Sequence, residues 1–131
     1  MTQPLALIIE DDPKLSTIYD TVATQAGYET EIIRRGDEAL KRLSFVSPSL
    51  ILLDIHLPYV SGIELLKVIR ATETLAKTPV IVLTADLYLA DSLENQADYV
   101  IIKSYGVSRL RELVANLANA DTSAIGSAQA T

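Results

Sequence analysis

The stretch Leu50-Ile51-Leu52-Leu53-Asp54-Ile55-His56-Leu57-Pro58, with Gly62 four positions beyond, decides how the rest of the chain is read. Four consecutive aliphatic residues ending in a carboxylate, then a loop bearing Pro and Gly, predict a parallel strand buried on both faces. Open α/β folds place their chemistry at the carboxyl ends of such strands, so Asp54 is expected at a functional edge.

Outward from this stretch, short apolar runs alternate with amphipathic segments. Leu5–Ile9, the more polar Glu29–Ile33, Val80–Leu83 and Tyr99–Ile102 join Leu50–Leu53 as strands. All but Glu29–Ile33 are apolar enough to be covered on both faces. Between them, Leu15, Ile18, Val22 and Ala26 recur at helical spacing, with Asp12 as N-cap, Pro13 as first helical residue and Gly27 as the stop. Ala39, Leu40 and Leu43 mark a second helix, and Ile63, Leu66 and Ile69 a third. Leu87, Ala90 and Leu93 mark a fourth, and Val107, Leu110, Val114 and Leu117 a fifth. Strand-helix alternation implies right-handed crossovers. The expected fold is therefore α/β, a doubly wound five-stranded parallel sheet in the flavodoxin-like order 2-1-3-4-5 with helices on both faces. Residues 4–118 form the expected domain. Residues 119–131 are small, polar and aperiodic, and read as a flexible C-terminal tail or linker.

Composition narrows the function. At 131 residues and 49% hydrophobic, the chain suits one domain with a core that needs no staples. A net charge of −6 and a pI near 4.6 argue against direct binding to nucleic acid or anionic lipid, both of which call for clustered cations. Cysteine is absent, so thiolate chemistry and disulfides are excluded. No basic-then-apolar leader opens the sequence and no apolar run approaches about 18 residues, so a soluble cytoplasmic protein away from the membrane is expected.

If all strands are parallel, their polar ends meet on one edge: Glu10-Asp11-Asp12, Asp54, Thr84-Ala85-Asp86 and Lys103. Crowded carboxylates repel and persist best when a cation shares them. Oxygen ligands suit a hard ion, and Mg²⁺ fits best, since it typically takes one or two carboxylates and leaves room for a phosphoryl oxygen. Lys103 supplies fixed positive charge and Thr84 a hydroxyl. Together these groups could stabilise a phosphoryl group transferring in line to Asp54.

With these residues in order, the chain resembles the response regulator receiver domains of bacterial two-component signalling, the chemotaxis regulator among them. The resemblance covers roughly residues 4–118. It rests on Ile8-Ile9-Glu10-Asp11-Asp12, Leu53-Asp54-Ile55-His56-Leu57-Pro58 with Gly62, Val82-Leu83-Thr84-Ala85, and Ala97-Asp98 leading to Ile102-Lys103. It implies that Asp54 accepts phosphate from a sensor histidine kinase or phosphotransfer protein. It implies that Glu10, Asp11, Asp54 and the His56 carbonyl hold Mg²⁺, that Thr84 and Lys103 contact the phosphoryl group, and that Ala85 keeps access open. Asp12 is expected as the helix cap. The face of helix 4, strand 5 and helix 5 would serve an unknown downstream protein or a homodimer.

Two departures stand out. Where the family usually has a proline after the lysine, joined by a cis bond, this chain has Lys103-Ser104. A non-proline cis bond costs about 3 kcal/mol, so the loop is expected to be strained or rearranged. The aromatic that many receivers carry three residues before the lysine is replaced by Val100, and Tyr99 is one residue off, hence on the opposite face. Tyr99 is expected not to act as an aromatic switch.

Each reading has a plainer rival. Glu10 to Asp12 could simply favour the first helix's N-terminus. Thr84 could be a satisfied strand-end hydroxyl. The His56 side chain is expected to tune water access more than to do chemistry. Tyr59, Tyr88 and Tyr105 read as loop packing or partner contacts, and Arg34 and Arg35 as surface charge. Two other functions compete: an Asp-nucleophile phosphatase, which normally needs a second acid where this chain has His56, and a phosphorylation-independent docking or dimerisation scaffold.

Overall fold

A computed structural model describes residues 3–93, 96–103 and 106–130, without the side chains of Leu87, Asp91 and residues 121–130. Ten elements alternate: β1 Leu5–Ile9, α1 Pro13–Gln25, β2 Glu29–Ile33, α2 Gly36–Leu43, β3 Leu50–Asp54, α3 Gly62–Ala71, β4 Val80–Thr84, α4 Leu87–Leu93, β5 Tyr99–Ile102 and α5 Gly106–Ala130. The strands form one sheet in the order β2-β1-β3-β4-β5, every described pair parallel. The expected fold is the observed one.

Local chemistry sets the boundaries. The Asp12 carboxylate accepts from the backbone N–H of Lys14 at 2.8 Å and Leu15 at 3.0 Å, with Pro13 opening α1 where a missing N–H costs nothing. Gly27, at φ +101°, follows that helix in a conformation side chains disfavour. Ser61 caps α3 by accepting from the Glu64 N–H at 3.3 Å.

Alternation along the central strands divides the core into two layers. Leu7, Ile9, Ile51, Leu53, Val80 and Val82 face α2, α3 and α4, while Ala6, Ile8, Leu50, Leu52, Ile81 and Leu83 face α1 and α5. Because β1, β3 and β4 are covered on both sides, every residue of β3 and β4 is buried, and truncating one such Leu to Ala would cost roughly 2–5 kcal/mol. β5 differs from the expectation. It lies at the sheet's edge, where only Ile101 is buried and Tyr99 keeps about a third of its surface exposed at 37%.

Away from the functional edge, Arg70 at the end of α3 binds the carbonyls of Gln96, Ala76 and Thr78 and pairs with Asp98 at 2.7 Å. Asp98 also accepts from the Val80 N–H at 2.7 Å, so one side-chain pair joins α3 to the starts of β4 and β5. The backbone of α5 runs on to Ala130, beyond Ala118 where the apolar repeat of the sequence fades. No described helix is long and apolar enough to cross a membrane.

Candidate phosphoryl-acceptor site

Parallel register carries each strand's last residues to one edge. Ile9 pairs with Ile33 and Leu53, Asp54 with Leu83, and Thr84 with Ile102. Glu10, Asp54, Thr84 and Lys103 are therefore neighbours by topology, although they span most of the sequence.

The three carboxylates Glu10, Asp11 and Asp54 bring oxygens within 4.8 Å of one another. Glu10 and Asp54 are buried, at 1% and 2% exposure, while Asp11 faces solvent at the mouth. Lys103 reaches in from the end of β5, its Nζ 2.8 Å from Glu10 Oε1 and 3.2 Å from Asp54 Oδ1. Burial pushes the Glu10 carboxyl up to about 7; Lys103 opposes that rise and Asp54 adds to it. For Lys103, burial alone would lower its pKa, but the two carboxylates outweigh it and hold the ammonium charged. One ammonium thus faces a group of three acids. An all-oxygen set of this kind, short of positive charge, can take a hard divalent cation.

The remaining predicted residues join less directly. The His56 N–H donates to Asp54 Oδ1 at 3.2 Å while its side chain is exposed, so His56 meets the site through its backbone. Thr84 is fully buried at the end of β4, its Oγ1 accepting from the Asp86 N–H at 3.0 Å. Asp12 lies outside the carboxylate group; its cap bonds, that to Leu15 foremost, hold its carboxyl below the usual range. Ser104 and Tyr105 lie outside the described residues, and so does the geometry of the Lys103-Ser104 peptide. Val100 packs against the α2, α3 and α4 layer, whereas Tyr99 falls on the other face with Ile101.

Two glycines allow the loop between Asp54 and α3, the acceptor loop if Asp54 takes the phosphoryl group, to close, and the sequence pattern singled out only Gly62. A Cβ on Gly62 would overlap the Asp54 carbonyl and lie 2.6 Å from Ile55 Cα; one on Gly36 would overlap the Val60 carbonyl. Arg35, read from sequence as surface charge, is half-buried, paired with Asp37 and laid over the Tyr59 ring. Nothing periodic marks these contacts. Only the Arg-Gly-Asp run at a strand-to-helix turn hinted at them.

Comparison with known proteins agrees with this geometry. The family described as the response regulator receiver domain matches residues 6–115. The DNA-binding response regulator MtrA of Mycolicibacterium smegmatis is 33% identical over 114 residues, covering 85% of this chain and 47% of its own length. This chain therefore spans less than half of that relative. The receiver domain of a signal transduction histidine kinase from Syntrophus aciditrophicus superposes with a TM-score of 0.78 at 32% identity, covering 89% of this chain and 91% of that one. A fold neighbour at 24% identity is the receiver domain of the sensor histidine kinase PA1611 from Pseudomonas aeruginosa, with a magnesium ion in its active-site cleft. Its TM-score is 0.77, with 88% of this chain and 98% of that one covered. The order of the sheet, the acids gathered at its carboxyl edge and the match over most of the length lead to one conclusion: this chain belongs to the response regulator receiver domains, the phosphoryl-accepting modules of two-component signalling.

Proposed function

We propose that Asp54 accepts a phosphoryl group from a histidine kinase or phosphotransfer protein. An Asp54 carboxylate oxygen attacks phosphorus, the phosphorus–nitrogen bond of the donor phosphohistidine breaks, and the imidazole leaves with the bonding electrons. The reading is carried by Lys103 Nζ, set 2.8 Å from Glu10 and 3.2 Å from Asp54, where it can meet the incoming phosphoryl oxygens. Glu10, Asp11, Asp54 and the His56 carbonyl are the proposed holders of Mg²⁺, which when bound neutralises phosphoryl charge. Thr84 would donate its hydroxyl to the phosphoryl group, and exposed Ala85 leaves the approach open.

The other readings fare worse. An Asp-nucleophile phosphatase wants a second acid at His56, whose side chain is exposed and not acidic. A scaffold indifferent to phosphate gives no reason to bury Glu10 and Asp54 beside one ammonium, since such burial carries a desolvation cost. Residues 4–118 are the proposed signalling unit, cytoplasmic and without direct contact to nucleic acid, and residues 119–131 are its proposed C-terminal tail or linker. The face of α4, β5 and α5 is the proposed surface for a downstream partner or a second copy.

Incubation with Mg²⁺ and acetyl phosphate, with intact mass as the readout, tests the reading. A single phosphate adduct that needs Mg²⁺ and vanishes in Asp54→Asn is expected. No adduct from a folded protein would sink it.

A further inference from the structure

The loop between Asp54 and α3 contains Tyr59, the one described non-glycine residue with a positive φ, +74°. Side chains rarely adopt this conformation, and it survives where surrounding contacts dictate it. Here they are identifiable. The Val60 N–H donates to the Pro58 carbonyl at 3.0 Å, closing a three-residue turn centred on Tyr59. The same carbonyl accepts from the Gly36 N–H at 3.1 Å, so the β2–α2 turn docks on the apex of the acceptor loop. Gly36 sits so close to the Val60 carbonyl that no side chain fits there.

Side chains close the second half of the contact. Arg35 binds Asp37 with two parallel bonds, Nε to Oδ1 at 3.0 Å and Nη2 to Oδ2 at 2.9 Å. With its fork occupied, the guanidinium lies over the Tyr59 ring, 4.1 Å from the centroid. At its C-terminal end the loop is fastened too: the Gly62 N–H donates to the Ile55 carbonyl at 2.9 Å, directly after Asp54. His56 lies between these two anchors. Tyr59 is itself 75% exposed, so its ring contributes little to the core, and the ring contact described for it is with the Arg35 guanidinium.

We infer that Arg35 and Tyr59 form a clamp that presets the acceptor loop, making both positioning residues for metal binding and phosphoryl transfer at Asp54. The clamp acts through the backbone of residues 55–61 and touches neither Asp54 nor the phosphoryl group. It rests on the proposed function in that the loop it holds is the one carrying His56.

The test uses the full chain and the variants Arg35→Ala, Tyr59→Gly and Tyr59→Phe. Glycine adopts the positive φ freely, so Tyr59→Gly removes the ring without adding strain. Amide exchange of residues 55–61, calorimetric titration with Mg²⁺ alone, and the rate and Mg²⁺ half-saturation of adduct formation from acetyl phosphate are read together. In Arg35→Ala and Tyr59→Gly, faster exchange confined to the loop and roughly tenfold weaker Mg²⁺ binding are expected, the size typical of lost outer-shell support. Urea unfolding should be nearly unchanged, and Tyr59→Phe should behave as wild type. Wild-type exchange and Mg²⁺ affinity in both Arg35→Ala and Tyr59→Gly would overturn the clamp, as would a Tyr59→Phe protein as impaired as Tyr59→Gly. If the wild-type chain formed no adduct while the exchange and Mg²⁺ shifts appeared, the acceptor reading would fail and the clamp would stand.

Discussion

Lys103 Nζ lies 2.8 Å from Glu10 Oε1, a contact between residues 93 positions apart that joins the end of the last strand to the end of the first. It is the described cation reaching the two buried acids, and the electrostatics of the site turn on it.

Replacing Lys103 by Met therefore leaves Glu10 and Asp54 buried without their counter-charge. Loss of a charged hydrogen-bond partner costs roughly 1–3 kcal/mol, and the metal-free protein should lose about that much in urea unfolding at pH 7.5. Added Mg²⁺ should recover a larger share of stability in Lys103→Met than in wild type. Adduct formation from acetyl phosphate should fall sharply even so, because no ammonium remains to meet the phosphoryl group.

The Glu10 carboxyl, pushed up by burial from 4.5 to about 7, makes metal-free stability depend on pH. A raised folded-state pKa means the folded protein binds a proton that the unfolded chain has released. Its contribution is full below about pH 4.5 and is lost as pH rises through about 7. Urea midpoints in EDTA should decline across this window, less steeply in Glu10→Gln. Because the proton and a cation compete for the same oxygens, stabilisation by Mg²⁺ should be larger at pH 8 than at pH 6. A flat wild-type profile, or one identical to that of Glu10→Gln, would contradict this.

Gly62 has no room for a side chain beneath Asp54, with the Asp54 carbonyl and Ile55 Cα in the way. Gly62→Ala must move the loop or α3, at roughly 1–3 kcal/mol of strain. The variant should melt lower and form the Asp54 adduct more slowly. Unchanged values for both would show that the loop yields without cost.

Tyr99 stands on the α5 side of β5 and Val100 on the α4 side. Tyr99→Ala should therefore leave intact the amide chemical-shift changes that a phosphoryl mimic such as beryllofluoride induces around Thr84 and α4. Their disappearance in an otherwise folded Tyr99→Ala protein would mean that Tyr99 reports the phosphoryl group after all.

Much of this protein is determined by sequence alone, because the forces involved are local. Leu50–Leu53 reads as a covered strand, Asp12-Pro13 opens a helix, and the strand-helix alternation points to parallel pairing and so gathers Glu10, Asp54, Thr84 and Lys103 on one edge. The tertiary structure alone decided what depends on contact between distant segments. Pairing order made β5 an edge strand with about a third of Tyr99 exposed, and packing seated Lys103 on Glu10. Close backbone approach, invisible to periodicity, requires glycine at 36 and 62 and turns Arg35 from a surface charge into a cover for Tyr59. At the C-terminus, the apolar repeat that signals a helix fades near Ala118, yet the backbone stays helical to Ala130, since a helix once nucleated extends one hydrogen bond at a time without needing that repeat.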